Sequence, residues 1–277
     1  MALRAMNDFL RILEAPQLKG MGQSASLIFA RLLPIIALTP VFGGQLLPRR
    51  FRLSLGILLT VVMVPLFVPR PGQVRVIPND QYVVLLAKEA VVGLTIAIIV
   101  LMLFEAVAAF GALVDLARGA TISNVFDPLT QNQQSILATF FSQAAVVLFM
   151  SVGGLGLLIK ALGDSFVTLR PNELLPAQLF GAGAVNEAAG LVADLFLLAV
   201  RLATPAMAVL LLVDFALAVI NRVSPQIQVY FMGMTTKGVI GLMVVFAGLG
   251  LTFELLVDQF GAVLDTIRKW VTATPGA

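Results

Sequence analysis

Long apolar stretches alternate with shorter polar segments along the whole chain, and this pattern predicts the fold class. Six stretches approach or exceed the roughly 20 residues that a helix needs to cross a bilayer. They cover residues 24–47, 53–69, 82–113, 136–162, 190–220 and 238–262. None shows the alternation of apolar and polar residues that barrel strands require. Because backbone polar groups in lipid must bond within their own segment, the pattern predicts an all-α protein. We expect a multi-span membrane protein of about six long, partly broken helices arranged as hairpins.

Composition supports a membrane protein. Apolar residues make up 59% of the 277 residues and charged residues only 12%, about half of the roughly 25% that is usual in soluble domains. The first stretch contains Pro34 and Pro40, so we expect it to be kinked or broken.

The positions of proline, glycine and charged residues divide the chain into five expected parts. Residues 1–23 carry apolar residues at helical spacing among charges, which is typical of an amphipathic surface helix. A Pro- and Gly-rich segment follows the fourth stretch and is the best candidate boundary. The expected parts are an amphipathic segment 1–23, N-terminal helical hairpins 24–162, a loop 163–189, a C-terminal hairpin 190–262 and a tail 263–277.

The chain contains neither cysteine nor histidine. It therefore lacks thiolates, the commonest metal ligand and the usual general base. The net charge is +3 and the basic residues are not clustered, so nothing favours nucleic acid as a partner. We expect no enzyme, no cofactor and no bound metal.

Several ionisable residues lie inside the apolar stretches. The main ones are Glu105, Asp115, Asp194, Arg201 and Asp214. A charge at bilayer depth costs at least ~3 kcal/mol, so such residues must face protein or water. One interpretation is a polar conduit or proton relay. The other is structural: Asp194 and Arg201 order neighbouring helices, while residues such as Lys88 and Glu89 lie near helix ends and extend to the membrane surface.

The segment VDLARGATISNVFDPLTQNQQS, residues 114–135, is polar although it lies between two of the most apolar stretches. Its Gly, Asn and Pro residues predict that helix stops near Arg118 and resumes near Gln133. A chain reversal needs far fewer residues, and long connections in compact proteins tend to be functional or disordered. Ile122 and Phe126 argue against a solvated linker. The segment is either a folded functional loop or an ordinary capped connection between helices.

Four longer phrases resemble a known family. They are RLLPIIALTPVFGGQLLPRRFRLSLG, GALVDLARGATISNVFDPLTQ, GGLGLLIKALGDSFVTLRP and INRVSPQIQVYFMGMTTKGVIGL. Together they are similar to the export-gate family of type III secretion systems, which comprises flagellar FliR and its virulence counterpart SctT. The resemblance covers most of the chain. Asp115 with Arg118, Gly119 and Ala120 is more similar to the virulence branch, and the fourth stretch lacks the histidine of the flagellar pattern.

The resemblance implies a non-enzymatic pore subunit for unfolded polypeptides in a bacterial inner membrane. It implies a helical pore assembly with partners of the FliP/SctR and FliQ/SctS types, partly raised towards the periplasm, and a FlhB/SctU-type switch protein at the entrance. Residues 117–134 correspond to a pore plug, for which the expected residues are Arg118, Gly119, Ile122, Asn124, Phe126, Asp127, Pro128 and Gln131. The expected entrance contacts are Arg222, Pro225, Gln226, Gln228 and Lys237.

The main alternative is a proton-coupled transporter of small solutes. Broken helices and buried carboxylates are typical of that class. Such transporters usually have paired halves with matching interruptions, and the proline-containing first stretch has no convincing counterpart in the second half of this chain.

Overall fold

The computed structural model describes residues 16–42, 47–67, 76–120, 135–173, 182–224 and 229–272. Within these ranges the chain forms α-helices and one short 3-10 turn, Pro40–Phe42, and no strand. The helices are α1 (Pro16–Leu38), α2 (Arg49–Phe67), α3 (Asn79–Ala117), α4 (Ile136–Ser151), α5 (Gly154–Thr168), α6 (Ala182–Val223) and α7 (Val229–Thr272). The predicted all-α fold class is confirmed.

The helices account for the six apolar stretches. In the described part of the chain, five helices are long and apolar enough to cross a membrane, namely α1, α2, α3, α6 and α7. The fourth stretch forms the pair α4 and α5, which would make a sixth span if the two were counted together. Val152 and Gly153 separate them, and Gly153 has a φ of 80°, a conformation that glycine adopts without steric cost.

The prolines of the first stretch act differently from one another. Helix α1 continues through Pro34, and the break comes after Leu38, where Pro40 begins the 3-10 turn. The helix begins at Pro16, within the segment expected to be separate; a proline in the first turn lacks only an N–H that would have no helical partner. Residues 1–15, which contain the expected amphipathic pattern, lie outside the described residues.

The chain folds as two compact units. The first consists of Met1–Leu101, Leu155–Ala184 and Leu264–Ala277. Its core includes one face of α1, on which Leu27, Ile28, Leu32, Ile35 and Ile36 are buried. The backbones of α1 and α3 touch inside this unit: a Cβ added to Gly93 would lie 2.1 Å from the carbonyl oxygen of Arg31. Only glycine permits this approach.

The second unit consists of Met102–Gly154 and Val185–Val263. Its core contains a group of three buried rings, Phe104, Phe149 and Phe260, with centroids 5.2–6.3 Å apart. A second ring pair, Phe110 and Phe141, is 4.6 Å apart and joins α3 to α4. Such offset and edge-on pairs add about 0.5–1.5 kcal/mol each beyond their buried area.

Candidate functional site

The helices on either side of the polar segment end and begin within a few residues of the predicted positions, Arg118 and Gln133. Helix α3 ends at Ala117 and α4 begins at Ile136. Arg118 and Gly119 form a turn after α3, in which the Gly119 amide donates to the carbonyl of Leu116 at 3.1 Å and Gly119 has a φ of 77°. Glycine fits this left-handed position best. The other predicted plug residues, Ile122, Asn124, Phe126, Asp127, Pro128 and Gln131, lie outside the described residues.

Asp115 connects the two ends of the polar segment. Its side chain is 1% exposed. One carboxylate oxygen accepts hydrogen bonds from Arg118, with Nε and Nη2 each at 2.6 Å. The other oxygen accepts from the Ser135 hydroxyl and, at 2.9 Å, from the Leu137 amide. One buried carboxylate thus binds the end of α3 and the start of α4.

Two of the predicted entrance contacts, Arg222 and Lys237, lie on α6 and α7 within the described residues. Arg222 is exposed in the last turn of α6. Lys237 on α7 forms an ion pair with Asp214 on α6. The two helices approach closely near this pair, since a Cβ on Gly233 would lie 2.8 Å from the Leu217 side chain. Pro225, Gln226 and Gln228 lie outside the described residues.

The five predicted intramembrane charges fall into three environments. Asp115 is buried in the hydrogen bonds described above, and Asp214 is about half exposed beside Lys237. Glu105, Asp194 and Arg201 are exposed on the surface of their helices. Among the described residues, no group of three or more acidic side chains could hold a metal ion.

A second buried charge cluster lies in the first unit. Arg31 on α1 and Glu89 on α3 are both 0% exposed. Arg31 donates to Glu89 through Nε at 2.5 Å and Nη2 at 3.0 Å, and the Lys88 ammonium lies 2.5 Å from the same carboxylate. The Arg31 guanidinium also stacks over the Phe166 ring at 4.2 Å. Two buried cations therefore share one carboxylate.

The excess positive charge of this cluster faces the C-terminal end of α5. Arg31 donates to the carbonyls of Ser165 at 2.8 Å and Leu169 at 2.7 Å. Lys88 donates to the carbonyls of Arg170 at 2.8 Å and Glu173 at 2.9 Å. Carbonyls at a helix C-terminus lack helical partners and carry partial negative charge. The Ser165 carbonyl also accepts from the Leu169 amide at 2.9 Å, so the cluster adds donors both to the last turn of α5 and to the carbonyls that follow it.

The sequence-based interpretation of this cluster is wrong for two residues. Lys88 and Glu89 do not extend to the membrane surface: they are 7% and 0% exposed. Adjacent opposite charges within an apolar stretch are a signal for burial, because charges in such positions are rare unless paired. The carbonyl partners of Lys88 follow the end of α5, about 80 residues further along the chain, and have no local signature.

The fold and these clusters define a multi-span α-helical membrane protein with buried, internally paired charges. Over residues 23–263 the chain matches the family described as Bacterial export proteins, family 1. The match covers well over half of the chain, and the protein belongs to this family. Proteins of this family are structural components of the export apparatus and are not known enzymes.

Relatives from flagellar and other secretion systems show similar identity. The chain is 27% identical to the flagellar biosynthetic protein FliR of Bacillus subtilis, over 88% of this chain and 92% of that protein. It is 29% identical to the surface presentation of antigens protein SpaR of Salmonella typhimurium, over 80% and 81%. It is 26% identical to the secretion system apparatus protein SsaT of Salmonella typhimurium, over 78% and 82%. These similarities give no support to the transporter alternative.

Proposed function

We propose that this protein is a non-enzymatic subunit of the inner-membrane export gate of a type III protein secretion system. In this role it helps to form and gate the channel through which unfolded polypeptides pass. The observation that carries the proposal is the family match over residues 23–263, together with relatives whose names refer to flagellar biosynthesis and secretion apparatus. We assign it to the virulence branch on the Asp115 and Arg118–Ala120 pattern.

The exposed surface of the chain is consistent with a subunit that contacts other proteins in an assembly. Helix α2 exposes large apolar side chains along its length, which are Phe51, Leu53, Ile57, Leu58, Val61, Val62 and Leu66. Apolar exposure alone suits lipid as well as protein. Glu105, Asp194 and Arg201 are also exposed, and exposed charges within membrane spans favour neighbouring proteins or a water-filled channel. We propose neighbours of the FliP/SctR and FliQ/SctS types, with the complex partly raised from the membrane towards the periplasm.

Residues 117–134 are proposed as the pore plug. A plug needs polar groups that are stable in water, a flexible hinge and a few apolar anchors. The segment contains all three, in Asn124 and Gln131, Gly119, and Ile122 and Phe126. The helices on either side of the segment suit this role, because the end of α3 and the start of α4 are hydrogen-bonded to each other.

The tip between α6 and α7 is proposed to contact a FlhB/SctU-type switch protein at the channel entrance. The tip mixes polar and apolar residues, and the Lys237–Asp214 pair stabilises the hairpin beneath it. A photo-crosslinking residue placed at Gln226 or Gln228 should capture the switch protein in native membranes. The same probe at exposed Val219 on the shaft of α6 serves as a position control. Capture at Val219 but not at the tip would contradict this contact.

Purification of the native complex tests the proposal as a whole. An affinity tag on this chain should recover two smaller multi-copy membrane proteins in fixed ratio, and the recovered complex should conduct ions poorly. A deletion within residues 121–131 should preserve the subunit ratio and raise ion leakage. Recovery of this chain alone as a stable, solute-transporting unit would refute the export-gate function.

A further inference from the structure

The buried carboxylate of Asp115 caps a helix to which it does not belong. Helix α4 begins with N–H groups that have no partner within the helix. The Ser135 hydroxyl accepts from the Ala138 amide at 3.0 Å, as an ordinary N-cap. Asp115, on α3, accepts from the next such amide, that of Leu137, at 2.9 Å. A negative charge at a helix N-terminus also interacts favourably with the helix dipole.

The same carboxylate holds the end of its own helix. Its other oxygen binds the Arg118 guanidinium, which follows the last turn of α3. The Arg118 side chain is itself only 12% exposed. Ion pairs three residues apart on an exposed helix are weak, but this pair is largely removed from solvent. Asp115 therefore uses both oxygens, one for each end of the polar segment.

Backbone contact reinforces this connection. Gly111 lies one helical turn before Asp115 and on the same face of α3. A Cβ added to Gly111 would lie 2.5 Å from the Ala138 nitrogen and 2.6 Å from the Leu137 carbonyl oxygen. The first turn of α4 thus rests directly on the backbone of α3. The Phe110–Phe141 ring pair continues the contact.

We propose that Asp115 is a positioning residue that fixes the two ends of the polar segment at one separation. The end of α3 and the start of α4, joined through Asp115, are called the base of the segment. This inference rests on the proposed gating function. The charge-assisted bonds of Asp115 and the close contact at Gly111 keep the end of α3 and the start of α4 in place. The Asp115 carboxylate is required because it is a pure acceptor facing donors on both sides.

The first test measures the base itself in the intact export complex. Asp115→Asn places an amide N–H₂ group against donors on one side, and Ser135→Ala removes both the hydroxyl donor and the N-cap acceptor. Asp115→Asn should speed hydrogen exchange at the Leu137 amide, and Ser135→Ala at the Ala138 amide, each by about tenfold or more, because bonds to charged groups and caps stabilise such amides. Ser135→Thr, which restores a hydroxyl, should recover the protection. Unchanged exchange in both variants would overturn the inference.

The second test measures ion leakage through the same complexes, with native mass spectrometry to verify the subunit ratio. Asp115→Asn and Ser135→Ala should raise leakage severalfold, and Leu116→Ala, a change at a neighbouring exposed position, should not. If a deletion within 121–131 raises leakage but neither base variant does, the positioning role is wrong and the gating function stands. If the deletion itself leaves leakage unchanged in an intact complex, the gating function fails and this inference fails with it.

Discussion

Replacing Glu89 should destabilise the protein more than any other change in the buried charge cluster of the first unit. Glu89→Leu removes the one carboxylate that Arg31 and Lys88 share. Both cations then remain buried without a counter-charge, at 0% and 5% side-chain exposure. Breaking a buried ion pair by removing one partner costs about 3–5 kcal/mol. That is a large part of the roughly 5–15 kcal/mol by which domains are stable.

The three single replacements should rank in a definite order. Arg31→Met leaves Glu89 paired with Lys88 but removes the donors to the carbonyls of Ser165 and Leu169. The Ser165 carbonyl still accepts from the Leu169 amide, so the penalty falls on the Leu169 carbonyl. An unsatisfied buried acceptor costs about 1–3 kcal/mol. Lys88→Met leaves the two-bond Arg31–Glu89 pair intact and should be mildest. The expected order of destabilisation is Glu89→Leu, then Arg31→Met, then Lys88→Met.

Thermal unfolding of the full-length, detergent-solubilised protein measures this order. With about 2–4 °C of Tm per kcal/mol for chains of comparable size, Glu89→Leu should lower Tm by roughly 6–20 °C. The triple replacement Arg31→Met, Lys88→Met, Glu89→Leu should be more stable than Glu89→Leu alone, because a fully apolar substitute leaves no buried charge. A Glu89→Leu protein as stable as Lys88→Met, or a triple variant less stable than Glu89→Leu, would refute this reasoning.

Two further predictions concern helix packing. Gly93→Ala should prevent stable folding, because its Cβ would lie 2.1 Å from the Arg31 carbonyl oxygen. Gly22→Ala is the control: a Cβ there meets nothing within 4 Å, so the change should be neutral or stabilising by up to about 1 kcal/mol. Yields of folded protein after membrane extraction distinguish the two variants, and equal yields would contradict the close approach. Lys237→Glu should weaken the α6–α7 hairpin by about 1 kcal/mol or less, as expected for a partly exposed ion pair. Adding Asp214→Lys to the same chain should restore the lost stability. A double variant no more stable than the single variant would show that the Lys237–Asp214 pair contributes nothing.

The membrane-spanning helices were predictable because their length and apolar character are local properties. The helix ends at Ala117 and Ile136 lie within a few residues of the predictions at Arg118 and Gln133, and Gly119 adopts the positive φ that glycine allows at the end of a helix. The break after Leu38 was predictable in kind, because the stretch contains prolines. It was not predictable in position, since Pro34 is accommodated within α1.

The roles of the charged residues were not predictable from their positions in the sequence. Asp115 was recognised as an unusual charge, but its use as a cap for α4 depends on how closely Gly111 lets α3 and α4 approach. Burial of Lys88 and Glu89 depends on carbonyls at the end of α5. Glu105, by contrast, lies in the same apolar stretch as Lys88 and Glu89 and is exposed.

The sequence by itself determined that this chain is a multi-span helical protein, that its first stretch is interrupted, and which family it belongs to. These properties follow from apolar length, backbone chemistry and long ordered phrases, each read within one segment. Only the tertiary structure decided which charges are paired inside the protein and which are exposed at its surface. The reason is that the stability of a buried charge depends on donors and acceptors from other helices, and their positions are fixed only when the helices pack.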